Sequence, residues 1–285
     1  MAISGRIPSG LDTNTFIPKL YSANVQMALR NKFVVIPYIN HAYESELSLG
    51  NILYIPRSQT GTATEVTVGT EGVQSDPTTT GLTLTIDKWF EKPYTVDYMS
   101  RRQSGVDIVS LAETESGYAI SKKIESTVCD LFSTLNESTV RGTDGSAWTD
   151  DILIAAVEEL DEADVDESER VWVGDPSVKA DIMKIDKFVR ADYFAGDAIP
   201  RGGFRKDIYG APLVTTNNLT AVSSGTGAYG VYMQREAIAI IIQEDMSVDI
   251  VEQPLKHQVV INTTALWGVG VLRDLAGVPI YTRLA

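Results

Sequence analysis

A two-stranded arm that cannot bury its own surface sets the terms for any fold of this chain. The strand-like run Asn51-Ile52-Leu53-Tyr54-Ile55-Pro56 and a second, Leu82-Thr83-Leu84-Thr85-Ile86, flank the 25 residues 57–81, of which eight are Thr and four are Gly. An isolated hairpin of this kind is marginal in water, because no third strand or helix covers its faces. The arm is therefore expected to rest on something outside its own domain, and a second copy of the same chain is the natural candidate. The Thr/Gly run 60–72 lacks the apolar contacts to hold itself, so it is expected to be mobile in a lone subunit and ordered against a neighbour.

A long helix follows. Tyr94-Thr95-Val96-Asp97-Tyr98 reads as a strand by alternation, and Ser104, with Asp107 three residues on, predicts an N-cap. Apolar residues then fall at Ile120, Ile124, Val128, Leu131 and Leu135, one stripe down a helix. A helix over residues 104–137 would be about 50 Å long at 1.5 Å per residue, several times the ordinary globular length, and would form the spine of an elongated subunit.

Beyond Arg141-Gly142-Thr143-Asp144-Gly145-Ser146 the pattern changes to α/β alternation. Thr149 predicts an N-cap with Asp150 and Asp151 in the first turn, where the helix dipole favours carboxylates. Val171-Trp172-Val173 reads as a short strand. Asp175 and Pro176 predict an N-cap and first helical residue, ahead of the stripe Val178, Ile182, Ile185 and Val189. The last third reads as strands at residues 231–233, 237–243, 246–250 and 259–261, closing on the apolar run 267–272. Residues 1–43 mix Pro8, Pro18 and Pro37 with a helix-like piece over 16–29, and look like an arm laid along another surface.

Chemistry is sparse. The single Cys129 excludes an intrachain disulfide and any multi-cysteine metal site, and His41 and His257 leave little for zinc or a histidine base. The net charge of −14 is concentrated in residues 137–169, where twelve acids meet only Arg141. Such a chain gains no counterion-release affinity for DNA, which argues against sequence reading or tight duplex binding. The cluster Glu158, Glu159, Asp161, Glu162, Asp164, Asp166, Glu167 and Glu169 lacks the glycine a calcium loop needs and reads as a solvated face. Residues 1–35 are the exception in charge, with Arg6, Lys19, Arg30 and Lys32 against Asp12.

Gly225-Thr226-Gly227-Ala228-Tyr229-Gly230 matches the dinucleotide fingerprint letter for letter, but it precedes a strand instead of following one, so it reads as a loop. Cys129 lies beside the Val128 stripe position with no basic partner to place next to it, and is expected to be a buried or half-buried thiol and not a nucleophile. His257, in the turn Glu252-Gln253-Pro254-Leu255-Lys256-His257, reads as a structural turn residue. No apolar run reaches the length of a membrane span, and no secretory signal gives meaning to the glycosylation patterns at Asn136, Asn218 and Asn262.

The order of basic arm, β-arm, long helix, α/β region and returning strands resembles the major capsid protein of tailed double-stranded-DNA bacteriophages. Phe16-Ile17-Pro18-Lys19-Leu20-Tyr21-Ser22 looks like the opening of these proteins, and Gly50-Asn51-Ile52-Leu53-Tyr54-Ile55-Pro56-Arg57 like the start of their extended loop. Ile208-Tyr209-Gly210-Ala211-Pro212-Leu213-Val214-Thr215-Thr216-Asn217-Asn218-Leu219 is similar to their stretch with Gly-x-Pro followed by Ser/Thr-Asn. The resemblance covers essentially the whole chain.

It implies an α+β fold of the tailed-phage major capsid type: an N-terminal arm over 1–43, an extended β-hairpin loop over 44–93, and a peripheral domain with the spine helix over 94–141. An α/β axial domain over 142–245 follows, then peripheral return strands over 246–265 and an axial C-terminal part over 266–285. It implies intersubunit contacts from Arg57, Thr64, Glu65, Val66 and Glu71 in the extended loop, and from Glu252, Pro254, Lys256 and His257 in the peripheral turn. The implied function is a structural subunit of an icosahedral shell, made in the bacterial cytoplasm and carried in the virion, with no catalysis, cofactor, metal or membrane. The implied partners are further copies in pentamers and hexamers, a portal protein, packaged double-stranded DNA bound without sequence reading, and a decoration protein in some relatives. A separate scaffolding protein is expected, because the arm starts directly with no long scaffolding segment. Some relatives join a loop lysine to a neighbour's asparagine, but residues 57–81 hold no lysine, so assembly is expected to be non-covalent. Two alternatives stay open: an encapsulin-like compartment of the same fold, and a soluble enzyme with an unrecognised site.

Overall fold

The computed structural model describes residues 33–44, 46, 50–58, 63, 65, 68–69, 79–103, 107–189, 207–223 and 225–284. The helix-like piece over 16–29 and most of the Thr/Gly run lie outside them. The expected hairpin forms as β1 (Ile52–Ser58) against β2 (Thr79–Thr85), antiparallel and in unbroken register from Ile52 opposite Thr85 to Ser58 opposite Thr79. Strand β3 (Lys88–Asp97) follows and leads directly into a short helix, α1 (Tyr98–Gln103).

The spine helix α2 spans Ile108–Cys129, 22 residues, which gives about 33 Å instead of the 50 Å expected. Its N-cap is Asp107, whose carboxylate accepts from Val109 N at 3.1 Å and Ser110 N at 3.5 Å; Ser104 lies outside the described residues. At the other end the chain tightens into a 3-10 helix, Asp130–Thr134, and stops where Leu135 turns extended and Asn136 takes φ +34°. The apolar spacing continues past Cys129 because Leu135 is buried from an extended segment, so the stripe outruns the helix.

Helix α3 (Asp150–Glu162) starts at Thr149 as expected, although the threonine side chain makes no capping hydrogen bond, and buries Leu153, Ala156 and Leu160. Strand β4 (Arg170–Gly174) is buried along its whole length. Asp175 caps α4 (Pro176–Ile182) by accepting from Ser177 N at 3.0 Å. The predicted four-residue stripe does not run in one helix: α4 ends at Ile182, Lys184 N and Ile185 N turn back onto the carbonyls of Asp181 and Ile182, and α5 (Asp186–Val189) is separate.

The remaining strands are β5 (Asp207–Ile208), β6 (Ala211–Thr215), β7 (Gly227–Gln234), β8 (Ile238–Gln253), β9 (Gln258–Val271) and β10 (Gly277–Arg283). The two strands expected over 237–250 are one strand, β8, irregular between Ile242 and Ser247, and those at 259–261 and 267–272 fuse into β9, which ends one residue short at Val271. β10 was not anticipated. Two sheets result besides the hairpin: a mixed five-stranded sheet in the order β10-β7-β4-β6-β5, and a long antiparallel one in the order β3-β9-β8.

One apolar core runs through both. In the five-stranded sheet Trp172 stacks on Tyr232 at 3.8 Å and meets Trp148 edge-on at 6.0 Å. In the three-stranded sheet Val259, Ile261, Ala265 and Trp267 of β9 pack on the Ile120, Ile124 and Val128 stripe of α2. Phe132 and Leu135, just past the helix, lie in the same core between the two sheets.

Candidate assembly surfaces

The hairpin is rooted on the body by one face only. Leu84 and Ile86 join Ala239 and Ile241 in a small apolar cluster of their own, with Leu53, Tyr43, Leu266 and Leu272 packed around it. Glycines make the approach close: a Cβ at Gly268 would lie 2.5 Å from the Thr85 carbonyl, and one at Gly270 would overlap Leu84. Because side chains alternate along a strand, the opposite face points away. There Tyr54 is 72 % exposed, and Ile52, Thr83 and Thr85 are exposed with it. Beneath the hairpin lies a cleft of about 450 Å³ bounded by Asn40, Tyr43, Ile55, Leu82 and Arg273, with exposed Arg57 on its wall. Glu65 is exposed; Thr64, Val66 and Glu71 lie outside the described residues.

The second surface is the far end of the three-stranded sheet. The turn joining β8 to β9 is a 3-10 turn, Pro254–Lys256, closed by His257 in the left-handed region at φ +52°. His257 donates its N–H to Pro254 O at 3.2 Å and accepts at its carbonyl from Tyr98 N at 2.9 Å, which sets α1 beside the turn. Among the described residues its ring meets the edge of the Tyr98 ring, at 6.4 Å. Glu252, Pro254, Lys256 and His257 are all exposed. Leu255, which the sequence reading passed over, is 98 % exposed, and Met99 of α1 is 71 % exposed beside Arg102. The tip thus offers two apolar side chains, with the cations Lys256 and Arg102 and the acids Asp97 and Glu252 exposed around them.

The two surfaces do not meet within a subunit. Gly268 at the hairpin root and Gln258 at the tip are ten residues apart along β9, about 33 Å at 3.3 Å per residue.

Elsewhere the chemistry-bearing residues have structural employment. Cys129 is fully buried, and burial, then the charges of Glu125 and Asp130, push its thiol well above the ordinary range. His41 is held between Glu44 Oε1 and Ile36 O, both at 2.8 Å. The fingerprint-like glycine loop is filled by the chain itself, since Thr226 N and Gly227 N both donate to the Asp144 carboxylate at 2.9 Å. Within the acidic region, Asp161 pairs with buried Arg170 at 2.8 Å. Among the described residues no group of three or more His, Cys, Asp or Glu is placed to hold a metal ion, and no helix is long and apolar enough to cross a membrane.

A family model described as phage capsid protein matches residues 60–279. Among curated proteins no match is found. Among solved structures, one from Mycobacterium phage Che8 is similar over 87 % of this chain and 90 % of its own, at 23 % identity and a TM-score of 0.74. The capsid of Cyanophage P-SCSP1u aligns over 89 % of both chains at 14 % identity and a TM-score of 0.70. The mature capsid of bacteriophage PhiM1 aligns over 82 % of both at 15 % identity and a TM-score of 0.64. Likeness at these identities establishes a common fold.

Proposed function

From the premise that the chain belongs to the phage capsid protein family and is a structural subunit of an icosahedral capsid shell, we propose that its two exposed ends are the contacts through which copies close that shell. The observation that carries this is the hairpin: seven paired residues per strand, fixed to the body by one face and bare on the other. A bare face at one end and an apolar tip ringed by charges of both signs about 33 Å away make a subunit with two different surfaces. Head-to-tail contact between unlike surfaces generates closed rings, which suits pentamers and hexamers. Arg57, Thr64, Glu65, Val66 and Glu71 act in the first contact, and Glu252, Pro254, Lys256 and His257 in the second, joined by Leu255 and Met99.

In this reading residues 1–43 are the arm and 44–93 the extended loop. Residues 94–141 with 246–265 are the peripheral domain, and 142–245 with 266–285 the axial domain that packs around the symmetry axes. The subunit is made in the host cytoplasm and assembles with a scaffolding protein and a portal protein. The finished shell holds double-stranded DNA without reading its sequence, and decoration proteins cover it in some particles. Its work is assembly and not turnover. The family match favours this over an encapsulin-like compartment.

Electron microscopy of the purified protein co-expressed with its scaffolding partner tests the reading. Closed shells are the expected result. A discrete monomer or dimer that turns over a substrate would overturn it, and shells filled with a cargo enzyme would establish the compartment instead.

A further inference from the structure

Helix α2 carries two buried carboxylates that face the protein interior in opposite circumstances. Glu125 is 2 % exposed and satisfied: Oε1 accepts from Val35 N at 3.2 Å and Oε2 from Asn218 Nδ2 at 2.9 Å. Glu113, three turns earlier, is 1 % exposed, and among the described residues neither of its carboxylate oxygens has a hydrogen-bond partner. It occupies the sheet-facing stripe between Val109 and Ser116, where Ser116 Oγ meets Thr263 Oγ1 of β9 at 2.7 Å.

Among the described residues the charged groups around it give the carboxylate no cation to pair with. β3, β8 and β9 pack on α2. The side of the sheet facing the helix presents Val259, Ile261, Thr263 and Ala265 from β9 and Met246, Val248 and Ile250 from β8, with Glu252 exposed at the tip end of the same side. From β3 it presents Lys88 and Lys92. Lys88 pairs with Asp87 at 2.8 Å, and the Lys92 ammonium lies over the Tyr94 ring, 5.0 Å from its centroid. On α2 itself Glu115, Lys122 and Lys123 are exposed, and the charge that acts on Glu113 is the capping carboxylate of Asp107, just ahead of the helix. Asp130, in the 3-10 helix packed on the far end, is 17 residues and about 25 Å away. An ionised carboxylate buried without a partner is among the costliest groups a fold can hold, and the usual resolution is that it keeps its proton.

We propose that Glu113 is a proton-dependent latch for the first half of α2: protonated, it lets residues 108–117 seat on the β3-β9-β8 sheet, and deprotonated, it loosens them. Burial, reinforced by the Asp107 charge, raises its carboxyl from the ordinary 4.5 to about 7. The folded subunit therefore binds this proton more tightly than the unfolded chain. The contribution to stability is complete below pH 4.5 and is lost as pH rises through about 7, beyond which it no longer changes. The first half of α2 carries Ala112, Ser116 and Gly117 towards the protein interior, so few large apolar contacts oppose its release. Near neutrality, a small pH change would thus alter how firmly the helix holds the tip end of the sheet.

Hydrogen exchange of dispersed full-length subunits between pH 5 and 8 tests this, and its outcome is independent of whether shells form. After correction for intrinsic rates, amides of residues 111–117 should exchange roughly 10- to 100-fold faster at pH 8 than at pH 5 in the native chain. In Glu113→Gln, a neutral isostere, they should not change. Asp107→Asn keeps a capping side chain and removes the neighbouring charge, so it should move the native transition to lower pH. Parallel pH profiles for the native chain and Glu113→Gln, or a native profile flat across the range, would overturn the proposal; if Glu113→Gln does not fold, an Asp107→Asn transition at unchanged pH overturns it.

Discussion

Trp267 donates its indole N–H to Thr127 Oγ1 at 3.1 Å, both residues buried, and so pins the middle of β9 to the last turn of α2. Thr127 in turn donates to Ile124 O at 2.6 Å, and the Trp267 ring stacks on Phe90 of β3 at 5.2 Å. One side chain thereby joins the helix and two strands. Trp267→Phe keeps most of the stack and loses the hydrogen bond, so it should cost about 1–2 kcal/mol. Trp267→Ala also opens a cavity and should cost about 3–5 kcal/mol. Denaturant midpoints of the dispersed subunit measure both; a Trp267→Phe loss near zero would show that packing alone holds the pair, and equal losses would show that the hydrogen bond does.

Ile124 lies on the helix stripe at 1 % exposure, whereas Leu131, past the end of α2, is only partly buried. Ile124→Ala should therefore cost about 2–5 kcal/mol and Leu131→Ala about half as much or less. Losses below about 1 kcal/mol at both positions would mean that the stripe faces water.

That pair also shows what periodicity can convey. Ile120, Ile124 and Val128 were readable as one buried face because a helix repeats its face every three to four residues. Leu131 and Leu135 keep the same spacing although the chain has tightened at Asp130 and straightened at Leu135, so the end of the helix was not readable. The caps at Asp107 and Asp175 are local chemistry, and Asp175 is legible in the sequence; at the spine helix the pattern points to Ser104, with Asp107 as its supporting acid, whereas Asp107 itself caps the helix. The hairpin strands stood out by their flanking turns, but not which face is bare, because Ile52 and Tyr54 are as apolar as Leu53 and Ile55. Leu255 and Glu113 gave no signal at all. An apolar residue in a turn and an acid on a buried face are each the opposite of what local pattern leads one to expect.

The hairpin's angle to the body depends on Gly268, where a Cβ would meet the Thr85 carbonyl at 2.5 Å. Gly268→Ala must push β2 away from β9, so a destabilisation of about 1–3 kcal/mol and a loss of shell assembly are expected together. Deleting residues 61–72 leaves this root intact, and should give a subunit of native stability that fails to assemble. Normal shells from the deletion, seen by electron microscopy, would show that the arm is dispensable.

Leu255 separates assembly from folding most cleanly, since at 98 % exposure it supports nothing in its own subunit. Leu255→Asp should change subunit stability by no more than about 0.5 kcal/mol. It adds a negative charge beside Lys256 and removes the apolar end of the tip, so shell yield should fall sharply. A variant that assembles as well as the native chain would move the contact away from this turn.

Assembly should be non-covalent and helped by salt. Residues 57–81 contain no lysine to react with a neighbour, and the only thiol, Cys129, is fully buried. With −14 per chain, copies repel at distances beyond a few ångströms, so closure has to rest on short-range contacts such as those at Tyr54 and Leu255. Raising ionic strength from 0.01 M to 0.15 M shortens the screening length from about 30 Å to about 8 Å, which weakens the repulsion and leaves apolar contacts untouched. Light scattering at fixed subunit concentration should therefore show faster and more complete assembly over that range. Shells denatured without reductant should run as single chains of 31.1 kDa. A ladder of multimers on that gel would refute the non-covalent reading, and assembly that weakens with salt would mean that ion pairs, such as Lys256 or Arg102 with a neighbour's acids, outweigh the apolar contacts.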